Sequence, residues 1–104
     1  MNLKNKNIGN EGLKFLFKIG FKELEVLELS SNKISDINIL EKVNFKKLEK
    51  LNLGYNRISD ISIFEKVNFE ELKELNLYFN KIDKDIYFSI INDLKSKIKN
   101  FSIS

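Results

Sequence analysis

The residues that could do chemistry are conspicuous first for the types that are missing. The 104-residue chain has no histidine and no cysteine, which removes the commonest general base, the usual zinc ligands and the thiol nucleophile. Its glycines, Gly9, Gly12, Gly20 and Gly54, do not form a phosphate-cradling loop. Carboxylates recur at Asp36 and Asp60, with Asp83 and Asp85 flanking the equivalent Lys84. Stacked aspartates could serve Ca²⁺, but that ion takes six to eight oxygen ligands, and two aligned carboxylates beside Ser35 and Ser59 fall short. They suit capping better, each oxygen accepting from a free backbone N–H. What remains is the repeated amides of Asn32, Asn56 and Asn80, suited to satisfying the backbone of a tight turn, and recognition chemistry by the aromatic residues Tyr55, Tyr78 and Phe79. No metal or cofactor is expected, and no catalysis.

These residues sit in three copies of one pattern. Leu24-Glu25-Val26-Leu27-Glu28-Leu29-Ser30-Ser31-Asn32-Lys33-Ile34 returns 24 residues later as Leu48 to Ile58, and 24 residues later again as Leu72 to Ile82. Around each Leu-x-Leu the alternation of apolar and polar residues has the period of a half-buried strand. Leu27 and Leu29, Leu51 and Leu53, and Leu75 and Leu77 then point inward, and the residues between them point out. Phe21, Phe45 and Phe69 stand three residues before each first leucine. We expect them to form a stack of buried rings behind the strands.

The flanks of the triplet are variants of the same unit. Leu3 and Ile8 fit the sixth and eleventh positions of the pattern, which places Lys6 where an asparagine would stand. Asn10 is the expected N-cap and Gly20 the expected C′ residue of a helix over residues 11–19. Leu13, Leu16 and Phe17 form its apolar face, widened by Phe15 and Ile19. Residues 37–43 and 61–67 are short, and predict a short helix or a 3₁₀ turn. The run from Ile86 to Lys95 has apolar residues at helical spacing, and Ile98 to Ile103 repeats the pattern with Ile and Phe in place of Leu. The terminal units thus predict longer helices than the central ones. Five strands and four outer segments account for the chain.

Three copies of L-x-x-L-x-L-x-x-N-x-I at one fixed spacing resemble the leucine-rich-repeat family. Asn7-x-Gly9-Asn10-Glu11-Gly12-Leu13 is similar to the turn into the helix of its ribonuclease-inhibitor type. The resemblance implies an α/β fold, a right-handed solenoid bent into a horseshoe arc. About five short parallel strands would line its concave face, with helices or 3₁₀ segments on the convex face. It implies one domain over 1–104: a degenerate N-terminal unit at 1–20, regular repeats at 21–44 and 45–68, and a last repeat at 69–104 with a longer helix and a terminal strand. It also implies that Asn32, Asn56 and Asn80 lie inside the turns and bond neighbouring backbone groups as a ladder, and that the outward positions line the concave face. Those rows are Val26, Lys50, Glu74; then Glu28, Asn52, Asn76; then Ser30, Gly54, Tyr78; then Ser31, Tyr55, Phe79.

Composition narrows the partner. The net charge of +3 and pI near 9.0 arise from a few surplus lysines, while opposite signs interleave along the chain, which is a solvated mixed surface and not a phosphate-tracking stripe. We expect no nucleic-acid partner. No segment reaches the roughly 18 apolar residues of a membrane span, the N-terminus does not read as a signal peptide, and a cysteine-free chain fits a reducing compartment. The expectation is therefore a cytoplasmic protein-interaction module. Tyr55, Tyr78 and Phe79 would be its aromatic anchors, because large rings bury area at low entropic cost, or would pack on one another as aromatics tolerated at these positions of the family. Five strands offer only some 200–300 Å² of concave face, well under the roughly 800 Å² per partner of a stable interface. Two alternatives follow: a structural segment of a longer repeat protein, or a scaffold that self-associates through its terminal edge strands.

Overall fold

Short strands form where leucine alternates with polar neighbours. β1 (Val26–Glu28), β2 (Lys50–Asn52) and β3 (Glu74–Asn76) each bury a central leucine and turn their outer residues away from the core. β4 (Asn100–Ser102) completes one parallel sheet in the order β1-β2-β3-β4. Leu27 stands opposite Leu51, Leu51 opposite Leu75, and Leu75 opposite Phe101. The 24-residue sequence period is thus the strand-to-strand register. These features come from a computed structural model that describes residues 1–20, 22–43, 46–67 and 69–104.

The expected fifth strand is reduced to a single bridge between Asn2 and Glu28. The Leu3 N–H donates to the Glu28 carbonyl at 2.9 Å, and the Glu28 N–H donates to the Met1 carbonyl at 3.0 Å. The N-terminal run lacks a second leucine, and Asn5 in the left-handed region (φ 54°) bends the chain away after one pairing.

Behind the sheet lie the return segments. α1 (Gly9–Ile19) and α2 (Phe88–Lys97) flank two shorter 3₁₀ turns, Asn38–Lys42 and Ser62–Glu65. The end units carry the longer helices, as their extra residues predict. Gly20 follows α1 at φ 77°, a positive value that glycine takes without strain. Two expectations about α1 need correction. Asn10 lies within the helix, which begins at Gly9, and caps something else. Its Oδ1 accepts from the N–H groups of Ser35 and Asp36 at 2.8 and 3.0 Å, and its Nδ2 donates to the Ser35 hydroxyl at 2.8 Å. It therefore staples the first return segment to the turn of the next unit. Phe15 does not widen the apolar face; it is 67% exposed. Two residues past Leu13 is a rotation of about 200°, which carries it to the opposite side.

Asp36 and Asp60 cap in the expected way. Each Oδ1 accepts the N–H two residues on, from Asn38 and Ser62, at 2.9 Å. Asp83 does the same for Asp85. Phe69 is half-buried, with its ring 6.5 Å from that of buried Phe64. Phe21, Phe45 and the Ile19 side chain lie outside the described residues.

The core is a column of leucine and isoleucine. Leu27, Leu29, Ile34, Leu51, Leu53, Ile58, Leu75 and Leu77 are all but inaccessible to solvent, and each such burial stabilises the fold by roughly 1.5–3 kcal/mol. Beside it runs the asparagine ladder. Asn56 Nδ2 donates to the carbonyls of Leu29, Leu53 and Gly54 at 3.0–3.1 Å. Its Oδ1 accepts from the N–H groups of Asn32 and Ile34 at 2.9 and 3.0 Å. Asn32 makes the same set with Leu3, Leu29, Ser30, Lys6 and Ile8. This fixes the register of the first unit, with Lys6 and Ile8 standing where Asn32 and Ile34 stand one unit later. Asn80 reaches back to Leu53 and Ile58 in the same manner.

The two ladder positions differ in burial, and the cost of removing them follows. Asn56→Ala leaves several buried backbone groups unpaired, each worth about 1–3 kcal/mol. A thermal melt followed by circular dichroism is expected to fall by on the order of 10 °C or more. Asn80→Ala, at a half-exposed turn that water can enter, is expected to fall by less. Equal losses at both positions would contradict the ladder's role.

Candidate functional site

The strand order gathers the outward side chains on one face of the sheet. Val26, Glu28, Lys50, Asn52, Glu74 and Asn76 line a concavity of about 240 Å³ with Asn100 and Ser102. Its floor is largely occupied with itself. Glu28 accepts from the Ser30 N–H with one carboxylate oxygen and from Asn52 Nδ2 with the other, both at 2.9 Å. Asn52 Oδ1 accepts from the Gly54 N–H at 2.9 Å, and Asn76 Oδ1 from the Tyr78 N–H at 2.8 Å. Lys50 and Glu74 face each other across neighbouring strands, with Nζ 3.8 Å from Oε1. The polar ends that alternation sends outward thus brace the turn two residues later or the next strand. Half-exposed Val26 adds a small apolar spot.

The aromatic residues form a separate cluster, off this floor, in the turns where the strands end. Tyr55 and Phe79 stack with ring centroids 4.5 Å apart and planes 21° from parallel. Tyr78 leans on Phe79 at 5.9 Å. Tyr55 and Phe79 are each 57% exposed. Stacking follows from register, because the two are 24 residues apart and the Tyr55 N–H donates to the Tyr78 carbonyl at 2.8 Å. The remaining members of these two rows behave differently. Ser30 and Gly54 are buried and do not face a partner. A Cβ on Gly54 would sit 3.1 Å from Asn52 Oδ1 of its own strand and 3.4 Å from Asn76 Oδ1 and the Tyr78 carbonyl of the next unit, so this position is tight.

The backbone under the platform is unusual. Ser31, Tyr55 and Phe79 occupy one repeat position, and all three have positive φ, at 59°, 54° and 54°. Glycine and asparagine take this conformation readily, whereas a bulky aromatic residue is strained there. Nothing in the composition signals it. A reading of turn geometry at the residue before each ladder asparagine is the signal that could have found it.

Charge read down the 24-residue columns is the second feature that a linear scan misses. Glu23 pairs with Lys47, and Glu49 with Lys73 at 2.9 Å. Carboxylate contact holds both ammonium groups above their ordinary range, through the hydrogen bond first and the charge second. These exposed pairs contribute little to stability, but they leave their columns nearly neutral. One column differs. Lys33, Arg57 and Lys81 are cationic in all three copies, exposed, and without an ion-pair partner among the described residues.

Asp36, Asp60 and Asp83 each accept a backbone N–H two residues on. Asp60 is held below the usual carboxylate range by the Ser62 hydroxyl and N–H, with the Tyr87 hydroxyl adding a third bond at 3.2 Å. Among the described residues, no group of three or more His, Cys, Asp or Glu side chains gathers in metal-binding range. No helix among them is long and apolar enough to cross a membrane.

The strain and the stack at Tyr55 oppose each other, which gives a test. Tyr55→Asn loses a ring pair worth about 0.5–1.5 kcal/mol but relieves backbone strain of about 1 kcal/mol, so its melting temperature is expected to stay within a few degrees of the parent. Tyr55→Val loses the ring and keeps the strain, since a β-branched residue is worse at positive φ. It is expected to melt clearly below Tyr55→Asn. The reverse order would exclude a left-handed backbone at residue 55.

The family model described as "Leucine Rich repeats (2 copies)" matches residues 22–66 and again residues 46–96. No curated protein matches the chain. Leucine-rich repeats in general mediate protein–protein interaction and are typically binding modules without catalytic activity. The two matches together run over well more than half of the sequence, and their period is that of the strand register and the asparagine ladder: the chain belongs to the leucine-rich-repeat family.

Proposed function

We propose that this chain is a protein-interaction module whose anchor is the platform of Tyr55, Tyr78 and Phe79, with the concave floor serving as its flank. The observation that carries this reading is the placement of two stacked, exposed rings on strained backbone. Core packing does not explain large exposed rings at a turn that Ser31 makes with a small side chain in the first copy. Area supports the same choice. Four three-residue strands about 4.8 Å apart give a floor of roughly 150 Å², far below the 800 Å² or so per partner of a stable interface. The floor alone holds a partner weakly, and exposed aromatic anchors concentrate binding energy on few residues.

A second reading, a structural segment or self-associating scaffold, draws on β4. Among the described residues it pairs on one side only, with β3, and it leaves Phe101 and Ile103 half-exposed. A second copy could add to that edge.

One pair of variants separates the two. The immobilised chain is expected to retain a protein from its source cell, and Tyr55→Asn with Phe79→Asn is expected to lose that protein at least about tenfold while melting near the parent temperature. Light scattering run alongside reads self-association. Retention unchanged in the double variant, or a dimer that the double variant leaves intact as the sole interaction, would overturn the platform reading.

A further inference from the structure

The aromatic and cationic rows are neighbours along the chain. Tyr55 precedes Arg57 by two residues, and Phe79 precedes Lys81 by two, so the aromatic and cationic positions are at most about 7 Å apart along the chain. Between strands the repeat spacing is about 4.8 Å, which sets Arg57 and Lys81 in register and puts Lys33, alone of the three at positive φ (60°), one unit further on, a row of about 10 Å. Every other charged column through the three copies mixes signs or carries an uncharged member, and three of them close into ion pairs between adjacent units. The 33/57/81 column is single-signed, exposed and unpaired among the described residues. The nearest acidic column does not neutralise it. Asp36 and Asp60 turn an oxygen toward the N–H groups of Asn38 and Ser62, and neither forms an ion pair with the row.

We propose that the platform and this row together take a short acidic peptide segment of a partner protein. An apolar side chain of the segment covers the outer faces of Tyr78 and Phe79, and its carboxylates run along Lys33, Arg57 and Lys81. This deepens the protein-interaction reading and rests on it. Dimensions fit: an extended chain rises about 3.3 Å per residue, so four residues span the cationic row. Arginine in the middle of the row can hold a carboxylate through two parallel N–H donors, which a lysine cannot. A nucleic acid fits less well. Tyr55 and Phe79 are stacked on one another, so no base can enter between them. Three cations release few counterions, which implies weak binding of single strands with a salt slope of only about −2.

The test uses the intact chain and a random twelve-residue peptide library displayed on phage, followed by titration of the resynthesised, fluorescently labelled peptide. Enriched peptides are expected to carry two or three Asp or Glu within about four positions of a Phe, Trp, Leu or Ile, and to weaken as salt rises. Lys33→Glu with Arg57→Glu and Lys81→Glu is expected to lose that binding about tenfold or more, and the single variant Arg57→Gln about threefold. Both keep the parent melting curve, since all three side chains are exposed, and Arg57→Gln carries the test if the triple variant does not fold. Enriched peptides without acidic residues, or binding insensitive to Arg57→Gln, would overturn this inference. The platform reading would survive that result if Tyr55→Asn with Phe79→Asn still abolished binding. A library that yields no binder overturns both. Labelled oligo-dT bound more tightly than any peptide, and lost in the same charge variants, overturns the peptide in favour of a nucleic acid.

Discussion

The buried amides of the ladder asparagines Asn32 and Asn56 are the constraint on which the rest of the fold depends. A strand of three residues cannot by itself absorb the polar backbone of the turn that follows it. Every unit must make that turn, and must make it against the hydrophobic column. Asn32 and Asn56 solve the problem by reaching into the preceding unit with both ends of the amide. The consequence is directional. Each unit completes the one before it, so no turn is self-sufficient, and stability accrues by stacking and not within a unit.

That arrangement sorts side chains into those that hold the solenoid and those left over. The leucines, the isoleucine after the asparagine and the aspartate caps belong to the first kind. Glu28, Asn52 and Asn76 belong to it more than their outward direction suggests, because each spends an oxygen on the N–H two residues later. The leftover positions include the aromatic turn residues, the cationic column, Val26 and the exposed apolar side chains Phe15, Ile86 and Phe88. On so small a surface, what is left over is where recognition can be carried.

Much of this was legible in the sequence, and for a physical reason. A period of 24 residues with apolar positions at fixed places is a direct record of strand register, and a long run at helical spacing sets the two end helices apart from the 3₁₀ turns. The placement of Tyr55, Tyr78 and Phe79 near one another was legible because columns of the repeat become neighbours in space. Other features were not. Asn10 looks like an N-cap by type and neighbours, and only the stacked turn of Ser35 and Asp36 shows that it serves the next unit. Phe15 is apolar and in a helix, yet the helix's rotation faces it outward. Residues 1–3 carry one leucine where two are needed, and the expected strand shrinks to a bridge. Ser30 and Gly54 occupy an outward row by count, but the turn folds them under. Each miss arises where a tertiary neighbour, and not local pattern, decides.

The left-handed backbone at Tyr55 and Phe79 has a kinetic side. Their N–H groups are held, by the Tyr78 carbonyl and the Ser104 hydroxyl, and their rings rest on each other, so little conformational freedom is left to surrender on contact. For the partner proposed above, this means a surface with few of its own rotamers left to order. Ordering then falls on the ligand's side, and a flexible segment that docks here sets its own residence time by how much entropy it gives up.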